Sequence, residues 1–213
     1  KNIHVIYNGL ESRLKGESYD FRSKWGIEDD KIIIGMIGPI DAHKGHATIL
    51  DVFHLSRYLK QSAHFVVVGS GSEVLTSELK AKVKASELKA EVIFTGFMEE
   101  DSNDIIRGFD ILVMPTIDFE GFGYSMAESM LSGIPVVASR VGAIPEIIVD
   151  GESGYLVEPN DISGWRVTIE KLVGNPTLRK HIGVAAKQRI ESRFSAESMS
   201  QQYYNLLTAN EIL

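Results

Sequence analysis

Glu120 and Glu128 bracket a short turn in the stretch FEGFGYSMAES, which spans Phe119–Ser129. Gly121-Phe122-Gly123 lies between them, and a helical pattern opens at Tyr124. The first amides of a helix have no intrahelical partner and sit at the positive end of its dipole. An anionic oxygen is therefore at home against Tyr124 and Ser125. Glu128 falls about one turn into that helix. A carboxylate is a poor partner for phosphate but a strong acceptor for paired hydroxyls on a sugar or ribose. The constellation fits a ligand that is both phosphorylated and polyhydroxylated. Lys44, in the loop after the apolar run Ile32–Ile37, adds a cation able to neutralise a diphosphate. Each of the three has an ordinary alternative when taken singly: a solvated surface side chain or, for Glu128, a carboxylate favoured by the helix dipole.

The elements that must position these groups are legible in the hydrophobic pattern. Strand-like runs are expected at His4–Tyr7, Ile32–Ile37, Phe65–Val68, Val92–Phe94, Ile111–Met114, Pro135–Ala138 and Tyr155–Val157. Several are continuous Val/Ile/Leu stretches, the pattern of strands buried on both faces of a parallel sheet. Helical periodicity lies between them at His46–Leu59, Val74–Ala85, Asn103–Gly108, Ser125–Leu131 and Pro145–Val149. This alternation predicts an α/β fold: a single Rossmann-like, doubly wound domain over residues 1–213 with a mostly parallel sheet. Ile162–Val173, Pro176–Arg193 and Glu197–Leu213 then predict a helical C-terminal tail. In such a sheet, ligands bind beyond the carboxyl ends of the strands. Glycine-bearing loops recur there, at Gly38 to Gly45, Gly69-Ser70-Gly71, Gly96, Gly121 to Gly123 and Gly142.

Composition narrows the function classes. The chain has 213 residues, a net charge of −7 and 44% hydrophobic residues, enough for a sizeable core. The acidic balance argues against broad nucleic-acid binding and against electrostatic anchoring to anionic lipid. No apolar run reaches the roughly 18 residues of a membrane span. With no cysteine, the chain has neither disulfides nor thiolate metal sites, which suits a reducing, cytoplasmic compartment. No Asp/His cluster has metal-ligand spacing, so no metal and no cofactor is expected. Phe65–Val74 reads FVVVGSGSEV, a strand followed by G-x-G, but Val74 stands where a dinucleotide fingerprint needs its third glycine. Lys44-Gly45 also lacks the order of a phosphate-binding P-loop.

The ordered motifs resemble the C-terminal, donor-binding domain of the retaining family 4 (group 1) glycosyltransferases of GT-B fold. Val5-Ile-Tyr-Asn-Gly9 is similar to the family's strand leaving the interdomain linker, and Gly38 through Lys44-Gly45 to its G-R-L…K-G loop. Val67-Val-Gly-Ser-Gly71 resembles its V-G-x-G turn, Phe94-Thr-Gly-Phe97 its F-x-G-x turn, and Glu120…Glu128 its E-x7-E motif. Gly133–Ser139, Gly142–Glu146, Asp150-Gly…Gly154–Val157 and Phe194–Glu197 follow in family order. The E-x7-E spacing alone is weak; the ordered set is specific.

The resemblance implies roles. Glu128 would accept from the ribose hydroxyls of a nucleoside diphosphate sugar, with a UDP- or GDP-sugar as co-substrate. Glu120 would touch the transferred sugar, near the Phe122 and Gly123 amides. The Tyr124 and Ser125 amides would hold phosphate oxygens. Lys44 would stabilise charge developing on the leaving diphosphate. Gly38, Gly69 and Gly71 would line the donor site, and Phe97 and Met98 would flank the base. The implied function is the donor-binding half of a retaining hexosyltransferase-like enzyme, inactive alone. Its N-terminal acceptor-binding domain would be a partner absent from this chain, and any membrane contact, at the inner face, would run through that domain. The alternative is a non-catalytic nucleotide-sugar-binding or partner-binding module of the same fold.

Two departures stand out. The family's loop carries an arginine where this chain has Pro39, which removes one of two diphosphate cations; Arg140 or His43 could replace it. The last helix of the family packs back on the other domain, which marks Tyr203, Tyr204, Leu206 and Leu207 as candidates for an unpartnered apolar surface.

Overall fold

The structure, a computed structural model, describes residues 3–11 and 16–209. Six strands form one sheet: β1 (Ile32–Ile37), β2 (Ala63–Val68), β3 (Val92–Gly96), β4 (Ile111–Met114), β5 (Val136–Ser139) and β6 (Tyr155–Val157). Their spatial order is β3-β2-β1-β4-β5-β6, and every pairing is parallel. The order reverses direction between β1 and β4, so the loops leaving these two neighbours diverge and open a crevice.

The continuous apolar runs are explained by burial on both faces. All four residues of β4 and all four of β5 are buried. Alternate side chains enter two separate cores: Ile33, Val66, Leu112, Met114 and Val136 on one face, Ile34, Phe65, Val67, Ile111 and Val137 on the other. The first face is covered by α1 (Phe21–Trp25), α5 (Ser102–Ile106), α6 (Tyr124–Leu131), α7 (Ile144–Ile147) and α9 (Pro176–Arg193). The second is covered by α2 (His46–Leu55), α3 (Arg57–Ser62), α4 (Glu73–Ala85) and α8 (Ile162–Val173). α8, α9 and α10 (Ala196–Ala209) make the expected helical tail.

The structure corrects two local expectations. His4–Tyr7 is not a strand: the segment lies outside the sheet with Val5 70% exposed. Its β-branched residues meet no free strand edge. Instead the chain is tied to the start of the tail, where Leu10 N–H donates to the Phe194 carbonyl and Ala196 N–H to the Leu10 carbonyl. The single helix expected at His46–Leu59 is two, because Ser56 leaves the helical conformation and its hydroxyl accepts from Leu59 N–H to cap a new one. In the tail, Tyr203 and Tyr204 are exposed while Leu206 and Leu207 are half-buried; residues 210–213 of the expected helix lie outside the described residues.

Candidate functional site

Helix starts at the carboxyl edge of the sheet differ in one respect. α4 and α5 are capped by their own side chains, Ser72 accepting from Leu75 N–H and Asp101 from Asn103 N–H. α2 and α6, which follow β1 and β4 into the crevice, begin instead at Gly45 and Gly123, with no side-chain cap. A capping oxygen would occupy the place of an incoming anion. Without one, the first amides of α6 remain available to a ligand.

Glycine also lets the loops close on one another. Gly45 has φ +73°, and a Cβ there would lie 1.9 Å from the Pro115 carbonyl oxygen, so the loop after β1 rests directly on the loop after β4. Ile117 N–H donates to the His43 carbonyl across the same seam. On the other side, Gly142 has φ +52° and a Cβ would meet the Glu120 carbonyl oxygen at 2.2 Å; Ala143 N–H donates to that carbonyl at 2.9 Å. The backbones carrying Lys44 and Glu120 are thus fixed from both sides. Their side chains meet as an ion pair, Lys44 Nζ to Glu120 Oε2 at 2.8 Å, with side-chain exposures of 33% and 17%.

Two adjoining cavities run over the crevice. One, of about 260 Å³, is lined by Lys44, Glu120, Gly123, Tyr124 and Ser125, with Met114 and Ser102 behind. The other, of about 420 Å³, is lined by Val68, Gly69, Phe97, Met98, Glu99 and Ile105. Gly38, Pro39 and Ser102 belong to both, which makes them one continuous groove. Among the described residues, Lys44 is the only cationic side chain lining either cavity.

Most of the residues singled out in the sequence therefore come together. Gly38, Lys44, Glu120, Gly123, Tyr124 and Ser125 share the smaller cavity, and Gly69, Phe97 and Met98 the larger. Glu128 stands behind the joint, where Ser102 Oγ donates to its Oε2 at 3.2 Å. The Phe122 side chain is 7% exposed and packs edge-on against Phe194 and Tyr124, so only its backbone can face a ligand. Gly71 lies beyond the groove: its place is set by the Ile40 carbonyl, 2.0 Å from where a Cβ would sit. It lines a neighbouring recess with Ser70, Thr76 and Lys80.

Neither substitute for the missing arginine reaches the groove. Arg140 is paired with Asp150 at 2.8 Å and Glu158 at 3.1 Å beside β5 and β6. His43 Nδ1 lies 2.6 Å from Asp118 Oδ2 on the exposed surface. Ser102 escaped the sequence analysis, although its place at the first position of a helix behind the Asp101 cap was a usable signal. His46, immediately after Gly45, is buried, with Nδ1 unpartnered; burial pushes its imidazole down to about 4. Among the described residues, no group of three or more His, Asp or Glu could hold a metal ion, and no helix is long and apolar enough to cross a membrane.

Comparison with known proteins agrees with this architecture. The profile of the family described as "Glycosyl transferases group 1" matches residues 18–189. The N-acetyl-alpha-D-glucosaminyl L-malate synthase of Bacillus anthracis is 26% identical over 205 residues, covering 95% of this chain and 52% of that protein. A GDP-mannose-dependent monoacylated alpha-(1-6)-phosphatidylinositol monomannoside mannosyltransferase of Corynebacterium glutamicum is 26% identical over 193 residues, covering 87% and 49%. The chain thus spans about half the length of the curated relatives it matches. Anabaena Alr3699/HepE, solved in complex with UDP-glucose, superposes with a TM-score of 0.86 at 23% identity, covering 97% of this chain and 57% of that one. The C-terminal domain of a Francisella tularensis glycosyl transferase group 1 family protein (LpcC) superposes with a TM-score of 0.72 at 27% identity, covering 90% and 97%.

Proposed function

The chain belongs to the group 1 glycosyl transferases, and on that premise we propose that it is the donor-binding half of a retaining glycosyltransferase acting on a nucleoside diphosphate sugar. One observation carries the proposal most directly: Lys44, Glu120 and the uncapped start of α6 line a single cavity at the switch point of the sheet.

In this proposal the diphosphate lies in the smaller cavity, against the Tyr124 and Ser125 amides and Lys44. The base lies in the larger, apolar cavity between Pro39 and Phe97-Met98. The ribose spans the joint, within reach of Glu128 behind Ser102. The transferred sugar sits over Glu120 and the Phe122 and Gly123 amides. Gly38 and Gly69 leave room for close backbone approach, and Gly71 supports that loop from behind. Cleavage breaks the bond between the anomeric carbon and a β-phosphate oxygen, and that oxygen leaves with the electron pair. The acceptor hydroxyl forms the new bond on the same face, and its proton passes to the leaving phosphate. Charge grows on the diphosphate as the bond lengthens, so Lys44 and the α6 amides bind the transition state more strongly than the ground state.

UDP-glucose is bound in the Anabaena neighbour and GDP-mannose is named for the Corynebacterium relative, so UDP- and GDP-sugars are the donors we propose. The acceptor site belongs to a second domain of the whole protein, without which this half has no transfer activity; we place that protein in the cytoplasm. Titration calorimetry of the 213-residue chain with UDP, GDP and ADP tests the proposal. Binding of one of them is expected. No binding of any at millimolar concentration would leave a partner-binding module of the same fold as the better account.

A further inference from the structure

The Lys44–Glu120 pair joins two groups with separate duties toward a donor, one facing its diphosphate and the other its sugar. Resting on the donor-binding proposal above, we propose that Glu120 also loosens the site's hold on the nucleoside diphosphate once the sugar has gone. It does so by competing for Lys44.

Three features lead there. The pair is closed, Nζ to Oε2 at 2.8 Å, and both backbones are locked by Gly45 against Pro115 and by Gly142 against Glu120 itself. A pair held this way on partly buried stems is formed at little entropic cost, unlike a surface pair between freely moving side chains. Next, Lys44 is the only cation lining the groove among the described residues, Pro39 having none and Arg140 and His43 being engaged elsewhere. A nucleoside diphosphate must therefore share or capture the lysine that Glu120 already holds. Last, the balance changes during the reaction. While the sugar is attached, its hydroxyls donate to the Glu120 carboxylate and separate it from phosphate. After transfer, once the leaving phosphate has released to solvent the proton it took from the acceptor, that carboxylate faces a diphosphate bearing one more negative charge, with Lys44 between them. Like-charge repulsion and competition for the cation then act together.

The expected signature runs opposite to that of an ordinary binding residue. By calorimetry with UDP and GDP on the 213-residue chain, Glu120→Gln should tighten the nucleoside diphosphate that binds, by roughly three- to tenfold. Lys44→Met should weaken it, and adding Glu120→Gln to Lys44→Met should recover only the share due to like-charge repulsion, less than the gain it brings in the wild type. The gain should shrink with added salt, as competition between partly exposed charges does. Glu120→Asp, with a carboxylate one methylene shorter, should fall between wild type and Glu120→Gln, and serves if the glutamine variant proves unstable in thermal unfolding. Equal or weaker diphosphate binding by folded Glu120→Gln and Glu120→Asp would overturn the competition while leaving donor binding standing. Absence of nucleotide binding in the wild type would remove the donor-binding proposal itself, and this inference with it.

Discussion

Ser102 Oγ donates to Glu128 Oε2 at 3.2 Å, tying the first residue of α5 to a residue one turn into α6. The two helices follow different strands, β3 and β4, which are not neighbours in the sheet. The bond lies at the joint between the two cavities and helps to orient the Glu128 carboxylate.

Ser102→Ala should therefore weaken UDP or GDP binding in calorimetry by severalfold. Glu128→Ala should weaken it further, because a hydrogen bond to a charged group is worth about 1.5–3 kcal/mol. If the serine acts by orienting the glutamate, the double variant should bind no worse than Glu128→Ala alone. Full additivity of the two losses would mean that Ser102 meets the ligand independently.

Pro39 lines both cavities and is exposed, so a longer side chain there can extend over the groove without displacing core atoms. Pro39→Arg should tighten diphosphate binding, and should make it more sensitive to salt, because a second cation can then form bidentate bonds with phosphate. Unchanged affinity and salt dependence would show that the diphosphate lies away from residue 39.

Gly142 combines φ +52° with a Cβ position 2.2 Å from the Glu120 carbonyl oxygen. Gly142→Ala must push that backbone away, at about 1–3 kcal/mol for the strained conformation. The expected result is a lower melting temperature together with a shift of the Lys44–Glu120 pair and altered nucleotide affinity. A variant that melts like wild type and binds like it would show that the loop yields freely.

His46 is 3% exposed, and burial lowers its imidazole to about 4 from an ordinary 6.5. The unfolded chain therefore takes up a proton between these values that the folded chain refuses. The stability associated with neutral His46 is complete above pH 6.5 and is lost as pH falls, by about 1.4 kcal/mol per unit and about 3 kcal/mol in all. Thermal unfolding of wild type and His46→Gln from pH 7.5 to 4.5 should show the wild type losing more. Parallel curves would mean that the histidine is solvated in the folded state.

How much of this could be read from the chain alone varies by element. The buried strand Ile111–Met114, the half-buried strand Tyr155–Val157 and the helix Pro176–Arg193 were legible to the residue, because continuous apolar runs and Asn-Pro starts are local signals. His4–Tyr7 carried the same β-branched signal yet found no strand to pair with, and Ser56 split a periodic helix through a cap that the apolar pattern does not register.

The sequence by itself determined the alternation of buried strands and amphipathic helices, and the order of the glycine-marked loops and acidic residues along the chain. Those properties depend on side-chain type and on spacings of a few residues. Only the tertiary structure decided that β1 and β4 lie side by side, bringing Lys44 and Glu120, 76 residues apart, into contact at 2.8 Å. It also decided that Ser102 backs Glu128, and that Arg140 turns away to Asp150 and Glu158. Strand neighbours are chosen by backbone hydrogen bonding and by packing of whole faces, which no short stretch of side chains specifies.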